Sequence, residues 1–189
     1  KIAGTGFTVT KIGSNTLYLT NTERDAGAND VGRWNLFAGS LEVRMSDGGS
    51  NPLTNGTTVQ LNTTGGLNIR HDGDNLADPQ VLTDFGSNTL QIGNLLPVST
   101  SPTVATSFTP SPNTILNLGT NSGASNKTIV FNQLVAGGPL GTGFFSLNLA
   151  ADNKYTVEFT NGLTMIKDAY LSLNNNGGSL ANLTLSGQI

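Results

Sequence analysis

Short segments in which apolar and polar residues alternate recur along the whole chain. Phe7–Ile12 and Thr16–Thr20 are the first two, with Ser14-Asn15 between them as a turn. Leu41–Met45, Thr57–Leu61, Gly66–Arg70, Thr89–Ile92, Ile115–Leu118 and Thr128–Phe131 follow. Ser146–Leu149, Tyr155–Phe159, Tyr170–Leu173 and Asn182–Leu185 complete the series. The commonest word is Leu-x-Leu, bounded by Gly, Asn, Ser or Asp. Period-two alternation buries one face of a strand and wets the other. No stretch shows the 3.6-residue spacing of a helix. An all-β fold is therefore expected.

Two architectures suit many short strands: a β-sandwich and a β-solenoid. The shortness of the words, the Thr, Ser and Asn at outward positions and the repeated inward Leu, Ile and Val favour the solenoid. The expected fold is a right-handed parallel β-helix with irregular loops, residues 1–189 forming a single unit. The words have no clean period, so loops of different length must project. Two segments interrupt them. Thr22–Trp34 mixes acidic and basic residues, and Pro97–Pro112 is rich in Pro, Ser and Thr and is expected to be an extended surface loop.

Composition narrows the function. Charged residues are 11% of the 189, against about 25% in ordinary domains. With a formal charge of -3 no basic stripe for nucleic acid is available. There is no Cys, which excludes disulfides and Cys-ligated metals. No apolar run is long enough to span a membrane as a helix. Lys1–Gly6 lacks the form of a signal peptide, so mature or excised material is expected.

Catalytic sets are sparse. His71 is the single His, and no nucleophile elbow, P-loop or His-x-x-x-His spacing accompanies it. It is expected to be a loop residue, and the chain not to be an enzyme. Asp72, Asp74, Asn75 and Asp78 gather hard oxygen donors around Gly73, a set that could bind Ca2+ or simply make a turn. Glu23, Asp25, Asn29 and Asp30 form a weaker set. Trp34, Tyr18, Tyr155 and Tyr170 are the aromatics that could stack on a sugar.

Gly4–Asn21 (GTGFTVTKIGSNTLYLTN) resembles the autotransporter-associated β-strand repeat, whose members carry G-T-G-x-L-x-K-x-G-x-x-T-L-x-L-x-G/N. Asn35–Val43 is similar to the continuation of that motif, and Gly66–Asp74 to segments between such repeats. The resemblance covers about the first quarter of the chain. It departs at Thr22–Trp34, where the family has a short Thr/Gly linker, and one clear copy occurs. It implies a right-handed parallel β-helix in a secreted passenger region, and it implies no activity. Joining the last residues to the first gives LTLSGQI–KIAGTGFTVTKIG, which looks like uninterrupted family sequence. The expected function is structural: a unit stacked end to end, in tandem or as a homopolymer, in an extracellular filament or cell-surface stalk. Ile2, Phe7, Val9 and Ile12 on one side and Leu183, Leu185 and Ile189 on the other are the expected junction. The alternatives are an adhesin or autotransporter-type passenger that binds a surface glycan, and a polysaccharide-active enzyme.

Overall fold

The computed structural model describes residues 4–20, 29–45, 51–62, 64–73, 79–93, 103–111, 124–137, 144–149, 154–166, 172–173 and 182–189. These carry strands and turns and no helix. In chain order the strands are β1 (Gly4–Lys11), β2 (Thr16–Thr20), β3 (Asn29–Leu36), β4 (Ser40–Met45), β5 (Thr58–Leu61), β6 (Gly66–His71), β7 (Gln80–Leu82) and β8 (Thr89–Ile92). Then come β9 (Thr103–Ser111), β10 (Lys127–Phe131), β11 (Gln133–Ala136), β12 (Phe144–Leu149), β13 (Thr156–Phe159), β14 (Leu163–Met165), β15 (Ser172–Leu173) and β16 (Asn182–Leu185).

The strands form three sheets. Sheet A stacks β1-β3-β5-β8-β11-β14, sheet B stacks β2-β4-β6-β9-β12-β15, and sheet C stacks β7-β10-β13-β16. Adjacent strands pair in parallel throughout, as in β5–β8, β6–β9 and β10–β13. From β5 onward the chain visits A, B and C in turn, which makes four complete turns of a β-solenoid. Two earlier turns, β1–β2 and β3–β4, give strands to A and B alone among the described residues. A sandwich would need antiparallel sheets, so the solenoid expectation holds and the alternative falls away.

Rows of like residues run along the stack and build the core. In sheet A one row is Val9–Trp34–Val59–Leu90–Leu134–Leu163 and the next is Lys11–Leu36–Leu61–Ile92–Ala136–Met165. Sheet C supplies Leu82–Ile129–Val157–Leu183. Beside it Phe85, Phe131 and Phe159 form an aromatic column, with ring centroids 5.6 and 5.9 Å apart, and Leu185 continues it in register. A lysine within an apolar row needs its charge satisfied. Lys11 Nζ donates to the carbonyls of Gly13 (2.8 Å) and Ala38 (2.9 Å), closing the corners of two successive turns. Gly6 has φ +66° and sits in a β-bulge, with register breaks on both sides of Phe7.

Two expectations need correction. Pro97–Pro112 is not a loop throughout, because β9 lies within it, paired between β6 and β12. Polyproline backbone is close to extended strand, and Pro110, opposite Ile69, costs the ladder a single donor. The charged Thr22–Trp34 segment also ends in a strand, since β3 begins at Asn29 and buries Val31 and Trp34. Arg33 points outward there and donates to the Oε1 atoms of Gln60 and Gln91 on the next two strands. The expected Ile115–Leu118 strand lies outside the described residues.

Candidate functional site

The two ends of the stack are the candidate site. At one end β1 and β2 finish sheets A and B. Phe7, Val9 and Leu19 are half-buried and pack on the core there. At the other end β14, β15 and β16 finish the three sheets, and Leu163, Leu183 and Leu185 are half-buried in the same way. Among the described residues the rows thus end on half-buried side chains at both ends.

The exposed large apolar side chains follow the same geography. Among the described residues these are Ile12, Leu17, Tyr18, Val81, Met165, Ile166 and Ile189. Six lie on or beside terminal strands, and the seventh, Val81, is on β7, where sheet C ends. Tyr18 and Val81 hold outward positions of sheets B and C, in register with Glu42 and Thr128. Of the residues expected at a junction, Phe7 and Val9 are at one end, and Leu183 and Leu185 at the other. Ile12 and Ile189 are more open, at 77% and 86% exposure. Ile2 lies outside the described residues. The structure adds a distinction. Leu183 and Leu185 belong to sheet C, whereas the strand that shares sheet A with Phe7 and Val9 is β14. Its Leu163 and Met165, and Ile166 after them, belong to none of the Leu-x-Leu words. The Asn161-Gly162 turn before Leu-Thr-Met was the available signal.

A polar column marks the corner between sheets C and A. The Asn132 N–H donates to the Asn88 carbonyl (2.9 Å) and the Asn161 N–H to the Asn132 carbonyl (2.7 Å). The Asn161 amide also donates to Asn132 Oδ1. Asn88 is fully buried, and its Nδ2 donates to the Thr54 and Thr57 carbonyls while Oδ1 accepts from Asn51. Asn161, at the end of the stack, is exposed.

His71 is not the loop residue expected: it is the last residue of β6 and is buried. The Gly73 N–H donates to Nδ1 at 3.1 Å, so Nε2 carries the proton and donates to Asp84 Oδ2 at 3.0 Å. Tyr155 Oη donates to the His71 carbonyl at 2.6 Å. Burial pushes the Tyr155 phenol up, and the Asp72 charge adds to it. These bonds tie the β6 end to the turn after β7 and to β13. They use both ring nitrogens, which leaves no imidazole nitrogen for general-base work.

The His71 hydrogen bond holds the Asp84 carboxyl below its ordinary 3.8, against the opposing effect of burial. A carboxylate depressed on folding stabilises above its unfolded pKa, and that stability is lost as pH falls through the folded value. Asp84 is 36% exposed, so solvent screening limits the term to less than about 1 kcal/mol. Asp84→Asn should flatten the acid limb of a Tm–pH curve below about pH 4, where wild type loses stability. An unchanged limb would dismiss this contribution.

Of the expected calcium ligands Asp72 is buried beside this network. Asp74, Asn75 and Asp78 lie outside the described residues. Among the described residues no three His, Asp or Glu side chains cluster closely enough to hold a metal ion. Of the aromatics considered for sugar stacking, Trp34 and Tyr155 are core residues and Tyr170 is outside the described set. Tyr18 is 52% exposed, with the Arg44 guanidinium 4.2 Å from its ring centre. Arg44 and Arg70 both flank the Glu42 carboxylate on that outer face of sheet B.

No family model, no curated protein and no solved structure matches this chain.

Proposed function

We propose that the chain is a structural unit that stacks end to end on like units as part of an extracellular filament or cell-surface stalk. The observation that carries this reading is the confinement, among the described residues, of exposed large apolar side chains to edge strands or the residues beside them. Open strand edges beside half-covered core template further strands. Among the described residues no strand lies beyond β1, β2 or β15, β14 is met only by the Gln188 carbonyl, and every strand in a sheet runs the same way. A copy translated along the axis therefore presents parallel strands to parallel strands. Such a contact is heterologous and does not close on itself, so it propagates. Few charges oppose the approach, since the described residues of the first turn carry Lys11 alone and its ammonium is satisfied internally. Absence of Cys removes any dependence on oxidation outside the cell. The work of such a unit is mechanical and spatial, without turnover.

Electron microscopy of the concentrated protein tests it. Six stacked strands of sheet A at ~4.8 Å each give an expected axial repeat of about 29 Å in a filament. Compact single particles at every concentration would sink the reading.

A further inference from the structure

Resting on that stacking reading, we infer that the junction has one register: Thr10–Ile12 of one copy pairs with Thr164–Ile166 of the next, and Ile12 closes over Ile166. Within sheet A, Lys11 and Met165 are the first and last members of one inward row. Thr10 and Thr164 are the first and last of the neighbouring outward row. One residue further on, Ile12, Phe37, Asn62, Gly93, Gly137 and Ile166 form a column. Each member after the first donates its N–H to the preceding rung, to the carbonyls of Lys11, Leu36, Leu61, Ile92 and Ala136 in turn. Met165 carries the next carbonyl of that series, and the Ile12 N–H of a following copy is the matching donor.

The side chains agree with the backbone. Ile12 is 77% and Ile166 48% exposed, and a translated copy sets one directly on the other. Burying two facing isoleucines removes apolar area from water at both ends at once. Thr10 over Thr164 makes a cross-strand threonine pair. The Lys11 ammonium is already held by Gly13 and Ala38, so its apolar stem can cover Met165 without burying a bare charge.

The bulge at Gly6 takes the first half of β1 out of regular register, and the regular part, Thr8–Lys11, spans the three residues of β14. At the far end the Leu163 N–H already donates to the Gln188 carbonyl at 3.2 Å, which places Ile189 where Val9 of the next copy would lie. Docking requires Ile189 to move aside.

The chain has no Cys, so engineered thiols report this contact without background. Adjacent rungs bring Cα atoms to about 4.8 Å, within disulfide range. Mixing Ile12→Cys with Ile166→Cys under mild oxidation should give a covalent dimer that neither variant gives alone. Within one chain the two positions are separated by the full height of the stack, so the double variant should form a covalent ladder instead of a ring. Both residues are exposed, so neither substitution threatens the fold. Equal cross-linking of a single variant with itself would overturn the register. So would filaments with the expected repeat but no mixed disulfide, a result that leaves stacking intact. Absence of both filaments and cross-links would overturn stacking as well.

Discussion

Phe131→Ala is expected to cost about 3–5 kcal/mol of stability in urea unfolding. Phe131 is fully buried at the middle of the aromatic column, with Phe85 on one side and Phe159 on the other. Its loss opens a void that neighbours on fixed strands cannot fill, and removes two ring contacts together. The effect should reach beyond the cavity. A solenoid owes its cooperativity to contacts between successive turns. Phe131 lies on β10, which joins β7 to β13 in sheet C. Weakening that joint should uncouple the two halves and lower the m-value as well as the midpoint. Phe131→Leu keeps most of the volume and should cost less than half as much. Equal losses for the two variants would show that volume at this position does not matter.

Asn88→Ala is expected to cost about 3 kcal/mol, because buried groups lose their partners with no water to replace them. Asn88 Nδ2 serves the Thr54 carbonyl at 2.6 Å and the Thr57 carbonyl at 3.3 Å, and Oδ1 receives the Asn51 amide at 2.7 Å. The comparison is internal. Asn161 stands in the same column at the exposed end, and Asn161→Ala should cost less than about 1 kcal/mol. Thermal melts of both variants measure the gradient. Equal shifts would mean that the column contributes through its backbone bonds and not through its amides.

Most strands were legible because burial on one face imposes alternation. The words Thr16–Thr20, Thr89–Ile92 and Asn182–Leu185 coincide with β2, β8 and β16. Strands without a legible alternating word lack it for different reasons. In β3 the outward Asn35 is buried, and Arg33 is held by glutamines of the next two strands, so polar composition hides an enclosed strand. In β9 prolines and hydroxyls obscured an extended segment held between two partners. In β7 and β14 three residues are too few to show a period. The motif Gly4–Asn21 also acquires physical content, since Gly6 makes the bulge, Lys11 closes two corners and Leu19 packs on the core. At the candidate site, sequence located the terminal strands, but it could not reveal that Leu183 and Leu185 share no sheet with Phe7. Sheet membership depends on how many corners intervene, and turns of unequal length conceal that count. Ile166 gained meaning only when the column linking it to Ile12 was traced through Phe37, Asn62, Gly93 and Gly137.

The ladder hydrogen bonds of all three sheets run along the stacking axis. A pull on the ends therefore stretches each bond lengthwise, and the bonds of one rung share the load as strands of a rope do. Rungs act in series, so tensile strength is set by the least-bonded one. Among the described residues β1–β3 and β2–β4 pair over seven and five residues, whereas β11–β14, β12–β15 and β13–β16 pair over three, two and four. Under tension the described stack therefore yields first between its last two turns, and the turns ahead of them form the stiffer part of the cable.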